Sequence, residues 1–315
     1  MRNPRMLAVG AALVLLVSAC QPGGSDSPSP SSPSSGEPSA AVELPPVIVG
    51  SANFDESAIV AEMYAQVLEA EGFSVERELF LGPRETTLPA LEAGELNLMP
   101  EYLGGLLNGL EGTPTADAAD THEALLTALE ERGLTAFDYA PGADSDGWAV
   151  RAETAEEFGL ETVSDVAEVA DQLTWGLPPE CAPRPQCGVG LNDLYGIDIN
   201  TLTVETVDPC SPAVVDALDQ SAIDVGRVCT TQPQIQLYNL VVLTDDQGLD
   251  PAQNLVPVAT ADLAEAGGDL LASTLNAVSA ELTTADLISL QVLVTVEQGD
   301  LEEVVTEWLE DHGLL

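Results

Sequence analysis

Val47-Ile48-Val49-Gly50-Ser51-Ala52-Asn53-Phe54-Asp55-Glu56 opens with a short apolar run rich in β-branched residues. Such a run reads as a buried strand, and Ser51–Phe54 as the loop that leaves it. Asp55 stands where an N-cap carboxylate is expected. Ile59, Val60, Met63, Val67 and Leu68 then recur at helical spacing, with Glu56, Glu62, Glu69 and Glu71 mostly on the other face. Strand, loop and helix in this order begin an α/β fold. Val75–Leu79 alternates as a second strand, Thr87–Ala93 reads as a short helix, and Leu96-Asn97-Leu98-Met99 as a third strand that stops at Pro100-Glu101-Tyr102. Further strands are expected at Gly147–Arg151, Leu173–Leu177, Thr203–Val207, Asp224–Val228, Leu240–Leu243 and Leu255–Val258, with a helix at Pro212–Gln220. Three helices, Leu270–Leu282, Ala285–Val296 and Leu301–His312, close the chain. No internal repeat is evident.

The 315 residues carry 8 Lys+Arg against 53 Asp+Glu, a formal net charge of −45, and every basic residue is arginine. With 45% apolar residues there is ample material for a packed core. So negative a surface repels phosphate backbones, which excludes nucleic-acid binding, and it disfavours direct adhesion to anionic lipid. It is compatible with cationic or zwitterionic ligands, or with solubility in salty surroundings.

Residues 1–19 read as an export signal. Arg2 and Arg5 precede the apolar run Met6–Val17, and Val17-Ser18-Ala19-Cys20 follows. The apolar run is shorter than the roughly 20 residues a membrane span needs, and no later stretch spans. This tetrapeptide resembles the lipobox of bacterial lipoproteins, whose cysteine is lipidated and becomes the mature N-terminus. An ordinary secretory signal cut nearby, or an uncleaved anchor, is the competing reading. Residues 20–45 follow as a tether: 16 of the 18 residues from Pro22 to Ser39 are Ser, Pro or Gly, a composition that buries no core. A lipid on Cys20, a leash and a globular body place the protein at the extracytoplasmic face of the cell membrane.

Five cysteines minus Cys20 leave four, an even number in an exported chain. Cys181 and Cys187 suit a small closed loop, and Cys210 and Cys229 then pair. The spacings of 6, 23 and 19 lack the close pairs of a structural zinc site. No metal or cofactor is implied. His122 and His312 have no metal-like companions, and no nucleophile elbow or phosphate loop is present, so no enzyme is expected.

Gly50-Ser51-Ala52-Asn53-Phe54-Asp55-Glu56 and Gly94-Glu95-Leu96-Asn97-Leu98-Met99-Pro100-Glu101-Tyr102-Leu103-Gly104, followed in order by Gly176-Leu177-Pro178-Pro179-Glu180-Cys181, Leu194-Tyr195-Gly196, Ile223-Asp224-Val225-Gly226, Thr230-Thr231, Asn254-Leu255-Val256-Pro257 and Leu275–Thr284, resemble the substrate-binding proteins of osmoprotectant ABC transporters. Those proteins bind glycine betaine, choline, carnitine and related quaternary amines. The resemblance covers nearly all of residues 46–315. It implies a two-lobed, periplasmic-binding-protein-like fold of type II, with lobe one at 46–147 and 256–315, lobe two at 148–255, and two hinge crossovers. It also implies a monomer that hands a small solute to a membrane permease and touches the membrane only through its lipid; the alternatives are the same fold binding another cationic solute, an amino acid or polyamine, and a sensor or interaction lipoprotein without a transport role.

A quaternary ammonium has no N–H to donate, so aromatic faces select it through cation–π attraction of about 0.5–2 kcal/mol per ring. Tyr102 matches the family's first cage tyrosine. At other cage positions this chain departs: Asp146 falls near one, Cys229 precedes Thr230-Thr231 where another aromatic belongs, and Val215 falls near a third. Only 13 residues are aromatic. Asp144 and Asp146 suit a cation with N–H donors, or equally cap a turn beside Gly142 and Gly147. Arg184 sits where the family places a ligand-facing arginine, with an ion pair to Glu180 as the alternative. Arg227 reads more readily as a surface charge. Thr230, Thr231 and Asp208 are polar lining candidates, and Ser51 and Asn53 occupy the first loop, where amides at a helix N-terminus favour an anionic group. Trp148 is cage or core; Trp175 and Trp308 read as core and helix packing.

Overall fold

The computed structural model describes residues 44–179 and 181–315. The export signal, Cys20 and nearly all of the tether lie outside the described residues. Elements are numbered in chain order. The first sheet contains β1 (Val47–Ala52), β2 (Val75–Gly82), β3 (Leu98–Tyr102), β4 (Leu134–Ala136) and β10 (Leu255–Thr260), in the order β2-β1-β3-β10-β4. The second contains β5 (Asp146–Arg151), β6 (Thr174–Leu177), β7 (Thr203–Thr206), β8 (Val225–Cys229) and β9 (Leu240–Leu243), in the order β7-β6-β8-β5-β9. Each sheet has parallel pairs on one side (β1 with β2 and β3; β6 with β7 and β8). Each also receives one antiparallel strand from a chain crossing, β10 in the first and β5 in the second. The crossings run through residues 137–145 and 244–254, and an isolated antiparallel bridge joins Ala143 to Asn254. This two-sheet arrangement is the expected α/β, periplasmic-binding-protein-like fold.

Helices α1 (Asp55–Ala70), α2 (Arg84–Glu92), α3 (Leu103–Gly109) and α4 (Ala118–Glu130) belong to the first part of the chain. The shorter α5 (Ala152–Phe158), α6 (Val163–Ala167), α7 (Gly190–Tyr195), α8 (Pro212–Asp219) and α9 (Pro233–Leu237) surround the second sheet. The chain ends in α10 (Ala261–Glu281), α11 (Thr284–Gln291) and α12 (Leu301–Asp311). The apolar face of α1 packs with Val49, Leu98, Leu275, Val305 and Trp308 in one core. Trp148, Trp175, Val225 and Leu243 centre another under the second sheet. No single helix among the described residues is long and apolar enough to cross a membrane.

Several expectations are corrected. The third strand does not stop at Pro100 but runs through Tyr102, with Pro100 opposite Pro257 in antiparallel register. Opposed residues of an antiparallel pair exchange both backbone bonds or neither. Two prolines facing each other therefore lose nothing between these strands, and the Pro257 carbonyl turns to its other neighbour, accepting from Phe137 N at 2.9 Å. Asp55 is the first helical residue rather than the N-cap, which is Phe54 without a side-chain bond. Glu56 and Glu62 are not on a solvated face: they are 2% and 3% exposed. Helix α10 begins nine residues earlier than expected. Thr260 caps its start by accepting from Leu263 N at 3.3 Å, and Gly268, at φ 52°, breaks the pattern inside it. Only glycine adopts such a backbone readily. Val215 belongs to the core against α8 and the second sheet, fully buried, and faces no cleft.

Candidate functional site in the cleft between the two sheets

Strand β3 delivers Tyr102 from the first sheet, and the first turn of α1 delivers Glu56 beside it. The Tyr102 hydroxyl donates a short bond to Glu56 Oε1. The other Glu56 oxygen accepts from Gln291 Nε2 at 2.7 Å, and the same Nε2 donates to the Thr231 carbonyl at 2.9 Å. Gln291 ends α11 and Thr231 follows β8, so this cluster joins elements of both sheets. Asp144, on the first crossing, faces Glu56 from the hinge. Burial pushes the Glu56 carboxyl up to about 7, the Asp144 charge adds to this, and the bonds from Tyr102 and Thr231 only partly offset it. Burial also raises Asp144, assisted by Asp146 and opposed by Thr231. One Asp144 oxygen, Oδ1, is buried without a hydrogen-bond partner.

Two recesses flank this cluster. The first, about 300 Å³, is lined by Asn53, Phe54, Arg84, Glu101 and Tyr102 among others. The rings of Phe54 and Tyr102 stack with centroids 6.3 Å apart. Arg84 grips Glu101 bidentately at 2.9 and 2.7 Å, so its charge is matched there and an aromatic face dominates the recess. The second, about 330 Å³, is lined by Asp144, Asp146, Arg184, Arg227, Asp250 and Gln253, with Cys187 and Cys229 at its wall. Arg227 is not a surface charge. Its side chain is 5% exposed and bonds Asp146 at 3.0 Å and Asp250 at 2.5 Å, and it also donates to the Gln186 carbonyl. Its guanidinium lies 5.4 Å from the centre of the Trp148 ring, and Trp148 is core, 2% exposed. Burial lifts Asp250 to about 7 despite Arg227, and its Oδ2 is buried without a partner. Disulfide Cys181–Cys187 closes the loop carrying Arg184 and Gln186, and Cys210–Cys229 ties the loop after β7 to the end of β8. Both pairings are those expected from the cysteine count.

The expected site residues divide three ways. Tyr102 and Asn53 line the first recess, and Asp144, Asp146 and Arg184 the second. Glu180, the alternative partner of Arg184, lies outside the described residues. Asp146 pairs with Arg227, and Asp144 is bonded by Thr231 with its Oδ1 left unpartnered. Thr231 is buried at the junction. Thr230 fixes the crossing, accepting from Ser145 N at 2.9 Å. Ser51 and Asp208 depart from expectation. Ser51 is fully buried, and its hydroxyl serves the sheet by accepting from Phe80 N at 2.8 Å. Asp208 is exposed outside both recesses, and its carbonyl accepts from Ser211. Sequence reasoning missed Glu56, Asp250 and Gln291. Glu56 lay inside the quoted Gly50–Glu56 motif, whereas nothing local marks Gln291, 235 residues away. His122 bonds the Phe137 carbonyl and His312 stacks on Trp308.

A family model for the substrate-binding domain of ABC-type glycine betaine transport systems matches residues 45–311. The chain belongs to this family. A glycine-betaine-binding protein of Pseudomonas aeruginosa is 28% identical over 282 residues, 85% of this chain and 88% of that protein. A carnitine transport binding protein of Listeria monocytogenes is 26% identical over 273 residues, 84% of this chain and 86% of that protein. The crystal structure of a glycine betaine/carnitine/choline ABC transporter protein superposes with a TM-score of 0.77 at 26% identity, covering 85% of this chain and 99% of that one. Members of the family are substrate-binding components of ABC importers, and this chain is one of them. The relatives are transport binding proteins, not enzymes.

Proposed function

We propose that the protein captures a small cationic solute of the betaine or choline type between lobes formed by residues 46–147 with 256–315 and by residues 148–255. It then presents the closed form to a membrane permease. It does so as a monomer without catalytic activity, held by a lipid on Cys20 at the extracytoplasmic face. The observation that carries this reading is the Tyr102–Phe54 aromatic pair set against the buried Glu56 carboxyl at the junction of the two sheets. An aromatic face attracts a methylated ammonium by cation–π, and a nearby carboxylate adds Coulomb attraction that desolvation strengthens. Contacts from both lobes favour the shut state by population shift.

A second reading has its own support. The unpartnered buried oxygens of Asp144 and Asp250 and the absence of an aromatic side chain from the second recess favour a cation with N–H donors, such as an amine, a guanidinium or an amino acid. Thermal unfolding of the protein against betaine, choline, carnitine, arginine and putrescine separates the two. A solute at 100 times its dissociation constant stabilises the fold by about 2.7 kcal/mol. A shift with quaternary amines that Tyr102→Ala abolishes supports the first reading. A shift confined to N–H cations and lost in Asp144→Asn supports the second, and no shift with any of them counts against both.

A further inference from the structure

The Gln291 side chain bonds both Glu56 and the backbone of the loop after β8. Both amide hydrogens are used, at 2.7 Å to Glu56 Oε2 and 2.9 Å to the Thr231 carbonyl. Its helix is wedged between the two sheets. Leu287 and Leu290 of α11 are buried in the first core, and Ile288 packs against the core under α8. The start of the same helix holds the crossing, where Thr284 Oγ1 accepts from Ala143 N at 3.0 Å and donates to Ala143 O at 3.2 Å. Gln291 is therefore fixed at the point where a change at Glu56 reaches the second sheet.

Glu56 has an unusual electrostatic setting. Around it stand Tyr102 from β3, Asp144 from the crossing with Asp146 behind it, the uncharged Thr231 from the β8–α9 loop, and the uncharged Gln291 from α11. Glu101 lies beyond Tyr102, its charge matched by Arg84, and Asp146 is matched by Arg227. No arginine or histidine among the described residues forms an ion pair with Glu56 or Asp144. A buried carboxyl and a half-buried one that face each other without a paired cation cannot both ionise cheaply. Ionisation strengthens the bonds that Tyr102 and Gln291 donate to Glu56 but leaves its charge buried beside Asp144, and opening the cleft to water relieves that burial; a neutral or cation-paired Glu56 carries no such cost.

We infer that Gln291 is a positioning residue of the solute site, a bridge between the lobes that holds when the charge on Glu56 is cancelled, by a proton or by a cation in the cleft, and loosens when it is not. The cation half rests on the solute reading given above, and the proton half stands without it. Charge cancellation thus couples arrival of a cationic solute to engagement of the Thr231 loop, with proton release as its counterpart.

Hydrogen exchange of the full-length protein without any solute tests the bridge independently of solute identity, reading the peptide that contains Thr231 and correcting for the intrinsic pH dependence of exchange. Between about pH 5.5 and about pH 8 the wild type is expected to lose about tenfold in protection there. Glu56→Gln, permanently neutral, should keep its protection at both pH values. Gln291→Leu should be poorly protected at both. Gln291→Glu should resemble the wild type only at the lower pH, where the two facing carboxyls share a proton. Protection in β1 serves as the control that each variant is folded. A wild type whose Thr231 segment is insensitive to pH would overturn the inference. So would a Glu56→Gln protein that keeps the pH response, or a Gln291→Leu protein protected like the wild type.

Discussion

The two recesses handle buried charge in opposite ways. In the second, Arg227 sits between Asp146 and Asp250 and also bonds a backbone carbonyl. At the junction beside the first, buried Glu56 and half-buried Asp144 stand with a phenol, an amide and a threonine, and no arginine among the described residues forms an ion pair with either. A buried charge set that is already paired is structural, because removing one member strands the others. A buried acidic pair without a counter-charge is poised to take one from outside, as a proton or a solute cation. The proposed attraction of a cationic solute is thus centred on acids that no arginine among the described residues pairs.

The contrast can be broken most severely at Arg227. Arg227→Met leaves Asp250 buried and unpaired and is expected to cost about 3–5 kcal/mol of stability by denaturant unfolding. A loss under 1 kcal/mol would mean that Asp250 simply takes up a proton. Opening the Cys210–Cys229 link by the double change to serine releases a loop with a sequence separation of 19 and should cost about 3 kcal/mol by the same measurement.

Burial of acids in both regions gives a pH signature. Glu56 rises from 4.5 to about 7 and Asp250 from 3.8 to about 7 on folding. Between those values the folded chain binds more protons than the unfolded one, so stability is present at low pH and is lost as pH rises through the folded values. Denaturant unfolding at intervals from about pH 5 to about pH 8 should show this decline, with Glu56 contributing on the order of 3 kcal/mol. Glu56→Gln should remove its share and leave that of Asp250. The smallest effect is expected at the partly exposed pair Arg132–Glu92, 2.6 Å apart, where Arg132→Ala should change stability by less than about 1 kcal/mol.

How much of this was legible in the sequence follows from the range of each interaction. Apolar periodicity marks Val47–Val49, Leu98–Met99 and the α1 face because strand and helix patterns are local, and an even cysteine count in an exported chain marks both disulfides. Tyr102 and Arg184 were marked by their motifs and Asp144 by departing from one, and all three line the recesses. Glu56 was misread because a glutamate in the first turn of an amphipathic helix looks solvated, and only β3 and α11 folding over it bury it. Arg227 was misread for the same reason: its partners Asp146 and Asp250 are brought in by other segments, 81 and 23 residues distant. Gln291, tied to Glu56 across 235 residues, has no local signal at all.

The central claim is that a cationic solute binds at Tyr102 between the lobes. Isothermal titration of the protein and of Tyr102→Ala with betaine, choline, carnitine, arginine and putrescine tests it most directly. The account predicts that at least one of these cations binds the wild type and that Tyr102→Ala weakens it about tenfold or more, a loss of about 1.4 kcal/mol. Binding of none of them, or binding that is indifferent to the loss of Tyr102, would contradict it.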